Sequence, residues 1–241
     1  MQRAIFRDDD QERLLAEFFR DVNDGFFVDV GAADPEFISQ TWQLEQKGWR
    51  GVLIEPRPDC AAELRRLRRA KVYEVAATSP RNRGSMRMNV LGRYSSLNDR
   101  LVIAGLRPEG EIEVETRTLD DILADAQAPA PIDFISIDVE GHELDVIEGL
   151  DLARWRPRLL LVEDHVLNLK LHRAIERRGY RWVRRTDLNA WYMPADTALP
   201  VSLFGRLQFT RKYYVSMPVR WLRDALRHLR AALGRPPQRV T

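Results

Sequence analysis

The stretch Gly25-Phe-Phe-Val-Asp-Val-Gly31 decides the fold. It is a short apolar run that stops at a glycine and lacks the polar–apolar alternation of a half-exposed strand. That pattern reads as a strand buried on both faces and entering a tight turn. Downstream, a helical stretch over 37–47 stops at Gly48, and Val52-Leu53-Ile54 forms a second buried strand ending at Glu55-Pro56. Residues 59–70 read as a charged helix, followed by a strand from Lys71 to Ala76. Upstream, Leu14, Leu15, Phe18, Phe19 and Val22 recur at helical spacing, so 1–24 is a helical lead-in.

The same strand–helix alternation continues. Residues 79–110, with mixed polarity and six Gly/Pro, read as a long irregular connection. Ile112–Thr116 is an exposed alternating strand, and Thr118-Leu-Asp-Asp121 resembles a capping box that opens a short helix. Ile132–Ile137 is a third apolar strand ending at Asp138, with a helix from about Gly141 to Glu148. Leu159-Leu-Leu-Val162 is a fourth, ending in Glu163-Asp164-His165, and a helix then runs to Arg178. Strands near 180–185 and 190–193 close the pattern as a hairpin. Buried strands alternating with helices give an α/β fold with a mainly parallel sheet covered on both faces.

Composition agrees. The chain has 241 residues, 44% hydrophobic and 31% charged, within the range of globular proteins. A single cysteine, Cys60, leaves no intrachain disulfide, no apolar run reaches about 18 residues, and the N-terminus has no apolar signal-like segment. The expectation is a cytoplasmic protein. Charge divides the chain. Residues 197–241 hold nine Lys/Arg against Asp224, a net +8, which leaves 2 − 8 = −6 for residues 1–196. This predicts a domain over 1–196 and a basic C-terminal extension over 197–241. Within it, residues 218–233 put Val219, Leu222, Leu226, Leu229 and Leu233 on one helical face and arginines on the other. Such a helix serves docking on the body or a second subunit, or peripheral contact at the inner face of a membrane. No aromatic platform or reading motif accompanies the arginines, so nucleic acid is not expected as a partner.

In open α/β sheets ligands bind beyond the carboxyl ends of the strands. Those ends here are Asp29/Gly31, Glu55, Ala76/Ala77, Asp138 and Glu163-Asp164-His165, and four of the five carry acids. The first turn holds one glycine instead of the three of a dinucleotide loop, and acids flank it. That suits a cationic or neutral ligand better than a pyrophosphate. Glu55, at the second strand end, has the position of an acid that accepts hydrogen bonds from ribose hydroxyls. Asp138-Val-Glu140-Gly141-His142-Glu143 is too dense in acids to be helix capping alone. With Glu163 and Asp164, Asp138 makes an oxygen set suited to a hard cation such as magnesium. Alternatively a histidine, His165 first and His142 behind it, deprotonates a hydroxyl. His172, on a helix, reads as structural.

Four blocks, FFVDVGAADPEFISQTWQLEQKGWRGVLIEP (26–56), YSSL (94–97), VETRTLDDIL (114–123) and IDFISIDVEGHELDVIEGL (132–150), resemble FkbM-type S-adenosylmethionine-dependent methyltransferases. The resemblance covers roughly residues 20–195. It implies a class I methyltransferase (Rossmann-like) seven-stranded sheet with the last strand antiparallel. It also implies methyl transfer to a hydroxyl, commonly of a sugar in a glycan or a glycosylated small molecule. By motif, Asp29, Gly31 and Ala32 would line the methionine end of the cofactor, with Ser39 and Thr41 as a small polar pair on the first helix. Glu55 would hold the ribose with Arg57 near it, Ala76 and Ala77 would border the adenine, and Asp138 would lie near the sulfonium. Ser95, Ser96 and Leu97 match a serine-containing segment over the active site. The family loop usually reads GAND, and here Ala33-Asp34-Pro35 stands in its place. His165, Glu140 and Asp138 are the catalytic candidates, and Asp138, Glu163 and Asp164 the metal candidates. The rival readings are a nucleotide-sugar dehydrogenase using NAD and a non-catalytic cofactor-binding module.

Overall fold

Phe26–Val30 is β1, the centre of the sheet in the computed structural model of this chain, which describes residues 11–90, 97, 109–164, 169–198, 201–219 and 222. Around it lie β2 (Arg50–Ile54), β3 (Lys71–Tyr73), β7 (Phe134–Ile137), β8 (Leu159–Glu163), β9 (Tyr180–Thr186) and β10 (Asn189–Pro194). Their order is β3-β2-β1-β7-β8-β10-β9. The first five are parallel, and β10, the last strand, runs antiparallel to both β8 and β9. This is the class I, Rossmann-like architecture, with the order reversing between β1 and β7.

The strands lack sequence alternation because each face has its own apolar partner. Val28, Val30, Ile54, Ile135, Ile137, Leu160 and Val162 enter one core, with Leu119 and Ile122 of α4 (Leu119–Asp125), Val146 and Ile147 of α5 (Glu143–Glu148) and Ile175 of α7 (Leu169–Glu176). The intervening Phe27, Leu53, Phe134, Leu159 and Leu161 enter the other, with Leu15 of α1 (Gln11–Phe18), Leu44 of α2 (Trp42–Gln46), Leu64 of α3 (Pro58–Leu67) and Trp49. Burying alternate residues on opposite sides removes apolar area from water on both faces. The register sets Val30 beside Ile54 and Ile137, and Ile137 beside Val162, so these strands end at one edge.

Three local expectations are corrected. The strand anticipated from Lys71 to Ala76 breaks at Glu74-Val75. Its first part is β3, while Ala76–Thr78 becomes β4 in a separate three-stranded sheet. That sheet, ordered β4-β6-β5, includes Gly84–Val90 (β5) and Gly110–Thr118 (β6). Thus β5 lies inside what reads as irregular connection, although Met86, Met88 and Val90 alternate there with Ser85, Arg87 and Asn89. The helix expected over 37–47 shrinks to α2, because residues 35–41 turn instead around a buried arginine described below. The capping box at Thr118 holds: its hydroxyl accepts from the Asp121 amide and donates to the Asp121 carboxylate.

A short helix, α6 (Leu152–Trp155), leads into β8. After β10, α8 (Leu203–Thr210) runs directly into a π-helical turn, Arg211–Ser216. This segment is attached to the sheet. Gln208 Nε2 donates to the Arg185 carbonyl of β9 and its Oε1 accepts from the Arg185 amide. Of the helix expected over 218–233, only 218, 219 and 222 are among the described residues.

Candidate functional site

Gly31, at the end of β1, has φ +84, and a Cβ there would come 1.8 Å from the Asp138 carbonyl oxygen. Only glycine accepts both that conformation and that approach. The Asp138 amide donates to the Val30 carbonyl at 2.9 Å, and the Gly31 and Ala32 amides both donate to Ile54. Three strand ends are thereby locked around one turn. Next in the chain, Ala33 is left-handed, with φ 37. Its amide donates to Glu55 Oε2 at 2.9 Å, and the Arg57 amide donates to Glu55 Oε1 at 2.9 Å. A carboxylate oxygen has two lone pairs, so Glu55 keeps acceptor capacity toward the cavity it lines. Burial raises its pKa against the opposing pull of the Arg57 and Ala33 amides.

Asp29 is buried and accepts from the Thr41 hydroxyl at 2.7 Å. Behind Thr41 stands Arg68, whose guanidinium donates to Thr41, Ser39, the Pro35 carbonyl and Glu45. Arg68 thus pins residues 35–41 to α3 and adds a positive charge near Asp29. Burial raises the Asp29 pKa, while Thr41, Arg68 and Ser39 oppose the shift. Ser39 and Thr41 stand out in the sequence, whereas Arg68 reads as one more charge on a charged helix.

Asp138 and Glu163, at adjacent ends of β7 and β8, hydrogen-bond through their side chains. Burial and the negative charges of Glu163 and Glu140 hold the Asp138 pKa well above the usual carboxylate range. Glu140 is left-handed, with φ 51, in the turn after β7. His142 faces the second sheet, with Nε2 2.9 Å from the Thr78 hydroxyl. Its pKa is lowered mainly by burial, which keeps the ring neutral near pH 7.

These groups surround one cavity of about 850 Å³. Asp29, Gly31, Ala32, Ser39, Glu55, Arg57, Ala76, Ala77, Asp138, Glu140, His142 and Glu163 all line it, and Thr41 stands behind Asp29. The described lining also includes residues that no sequence motif marks. Phe37 and Ile38 come from the arginine-pinned loop, and Asp187, Leu188 and Asn189 from the β9–β10 hairpin. Phe37 is 93% exposed. Two strand-like runs on either side of Asp187-Leu188 mark the hairpin, but nothing local places its turn beside β1. Altogether the described lining carries eight Asp/Glu side chains and one arginine, Arg57, whose guanidinium is paired with Asp59.

The three-carboxylate metal set is divided. Asp164, next to Glu163, is turned away from the cavity and completely buried against Lys212, whose ammonium donates to its carboxylate; Tyr213 OH donates to the same oxygen at 3.0 Å. Among the described residues no group of three His, Cys, Asp or Glu is assembled to hold a metal. His165, Ser95 and Ser96 lie outside the described residues. His172 is buried, with Nδ1 3.1 Å from Tyr192 OH and its ring stacked on Tyr213.

Residues 29–182 match the Methyltransferase FkbM domain. Over 164 residues the chain is 31% identical to the 2-O-methyltransferase NoeI of Sinorhizobium fredii, covering 58% of this chain and 63% of that protein. Over 57 residues it is 33% identical to the hexuronic acid methyltransferase AglP of Haloferax volcanii, covering 24% of this chain and 23% of that one. The alignments thus span less than two thirds of these curated relatives. Among solved structures, the precorrin-6y C5,15-methyltransferase from Geobacter metallireducens aligns over 80% of this chain and 91% of that chain, at 12% identity and a TM-score of 0.39.

Proposed function

This chain belongs to the FkbM methyltransferase family, and we propose that it transfers the methyl group of S-adenosylmethionine to a hydroxyl of a sugar, in a glycan or a glycosylated small molecule. The observation that carries this reading is the charge of the cavity, eight carboxyl groups against one arginine that is already paired. S-adenosylmethionine is a sulfonium with an ammonium group, and low-dielectric walls lined by acids favour such a cation. A nicotinamide dinucleotide would bring a pyrophosphate to the same acids. The donor set therefore fits the first cofactor and opposes the second. The cavity volume is also within the range of cofactor sites.

In this reading Asp29, Gly31 and Ala32 border the methionine end, with Ser39 and Thr41 behind it. Glu55 accepts from the ribose, beside Arg57. Ala76 and Ala77 flank the adenine, and Asp138 faces the positive end. When bound, the cofactor supplies an electrophilic methyl group on a sulfonium sulfur. The chain's own part is to align the acceptor oxygen with that methyl and to remove the hydroxyl proton. As the O–C bond forms and the C–S bond breaks, the proton passes to a base, His165, Glu140 or Asp138, a contribution of roughly 10²–10⁴ in rate. Alignment contributes several further kcal/mol, on the order of the effects of proximity elsewhere. The acceptor enters past Phe37, Ile38 and Leu188, whose apolar surfaces suit the C–H face of a pyranose ring. Because Asp187 and the other acids line the same space, a neutral sugar is favoured over a uronate.

Isothermal titration with S-adenosylhomocysteine and with NAD tests the cofactor assignment. Binding of the first without the second supports it, and the reverse overturns it. Binding of the first with no transfer to any acceptor would favour the non-catalytic module.

A further inference from the structure

The segment from α8 through the π turn carries apolar residues on both faces, with Phe209 packed on the core. Its inward face holds Gly205, Gln208, Lys212, Tyr213 and Met217. Two of these five are strongly polar, and both are bonded to the body, Gln208 to β9 and Lys212 to Asp164. Gly205 allows the close approach, since a Cβ there would come 2.2 Å from the Val183 carbonyl oxygen. The outward face is apolar as well: Leu203 is 75% exposed, Tyr214 72%, and Val219 and Leu222 63% each, with Leu207 and Val215 also exposed.

The π turn brings five of these six residues into line, with Tyr214 outside the stripe. At about 100° per residue, an uninterrupted α-helix would spread Leu203, Leu207, Val215, Val219 and Leu222 over about 160°. One extra residue taken up in a π bulge turns the downstream part back by about 100°, so the five fall within an arc of about 60°. Exposed apolar residues gathered this way mark a contact surface, whereas scattered ones need no explanation.

Charge selects the occupant. The exposed Arg206 and Arg211 flank the stripe, and residues 197–241 carry nine Lys/Arg against one acid. A second copy meeting this face isologously would set the same positive charge against itself. A nucleic acid would match the charge but leave the leucines and valines in water. Both features match a bilayer with anionic headgroups, the apolar stripe entering the acyl boundary and the arginines meeting the phosphates. We propose that the outward face of residues 203–219, continued by Leu222, seats the protein on the surface of an anionic membrane. Among the described residues no helix is long and apolar enough to cross one, so the contact is peripheral.

The test is co-sedimentation of the full chain with phosphatidylglycerol–phosphatidylcholine vesicles and with pure phosphatidylcholine vesicles, at low and high salt, alongside light scattering of the free protein. Partitioning should be at least roughly tenfold stronger on the anionic vesicles and weaken with salt. A Leu203→Asp/Val219→Asp double variant, altered only at exposed positions, should keep its melting temperature and lose at least roughly tenfold in partitioning. Arg206→Glu should weaken binding less. Equal partitioning of parent and double variant overturns the proposal, as does an absence of vesicle binding. Dimerisation of the parent that the double variant abolishes, without vesicle binding, would assign the face to a second copy instead.

Discussion

Asp138 and Glu163 end adjacent parallel strands and hydrogen-bond to each other through their carboxyl groups, so that one cannot ionise freely beside the other. Burial and this neighbour raise the Asp138 pKa well above its ordinary value of 3.8. A cation in the cavity reverses the balance, because it stabilises the ionised form. S-adenosylmethionine binding should therefore release a proton whenever Asp138 starts protonated. Affinity should rise with pH, by up to about tenfold per unit, until the raised pKa is passed, and then level off. Calorimetry across a pH series and in buffers of different ionisation enthalpy measures both. Asp138→Asn should flatten the pH dependence and weaken binding.

The same shift has a consequence for stability. With the folded pKa raised, the neutral carboxyl's contribution is fully present below the unfolded-state pKa and is lost as pH rises through the folded one. Asp138→Asn should thus melt higher than the parent at the alkaline end of a pH series in the absence of ligand, while binding the cofactor less well. Equal melting across the series would contradict the electrostatic account.

Gly31→Ala introduces a methyl group where 1.8 Å separates it from a backbone oxygen, at a φ of +84. The left-handed conformation alone costs about 1–3 kcal/mol, and the clash can be relieved only by moving β7 away from β1. We expect loss of cofactor binding and a lower melting temperature, checked by titration and thermal unfolding.

Lys212 and Asp164 form a buried ion pair that fastens the C-terminal segment behind β8. Burial lowers the Lys212 pKa to about 8, against the opposing pull of Asp164. Lys212→Met strands the Asp164 carboxylate in the interior and should cost about 3–5 kcal/mol. A Lys212→Met/Asp164→Leu double variant should recover much of the loss, and chemical denaturation of the four proteins gives the coupling.

Phe37 is almost fully exposed at the cavity mouth. Phe37→Ala should leave stability and cofactor affinity unchanged. It should raise KM for the sugar acceptor by about 3–10-fold, the equivalent of roughly 0.5–1.5 kcal/mol of aromatic contact. An unchanged KM would place the acceptor elsewhere.

The sheet was legible because strands buried on both faces leave continuous apolar runs, and the acids that end them stand out against those runs. Asp29, Glu55, Asp138 and Glu163 could thus be named in advance as strand-end acids around one site. Asp164 could not be separated from Glu163, because which of two consecutive residues faces a cavity is decided by a partner 48 positions away, Lys212. β5 is marked only by the short alternation of Met86, Met88 and Val90 with Ser85, Arg87 and Asn89, which the surrounding glycines and polar residues dilute. Arg68 and the Asp187–Asn189 turn were hidden for a similar reason: their roles depend on long-range packing, whereas local pattern records only a charge and a hairpin.

The most direct measurement is transfer of tritiated methyl from S-adenosylmethionine to a panel of neutral and uronate glycans, with magnesium and with EDTA. Label is expected in a neutral sugar, undiminished by EDTA, because Asp164 is committed to Lys212 and the acidic set is left to the cationic cofactor. Label that appears only with magnesium would contradict the division of the carboxylates. Label confined to uronates would contradict the electrostatic reading of the acceptor side, and no label in any sugar, despite tight cofactor binding, would contradict the acceptor class itself.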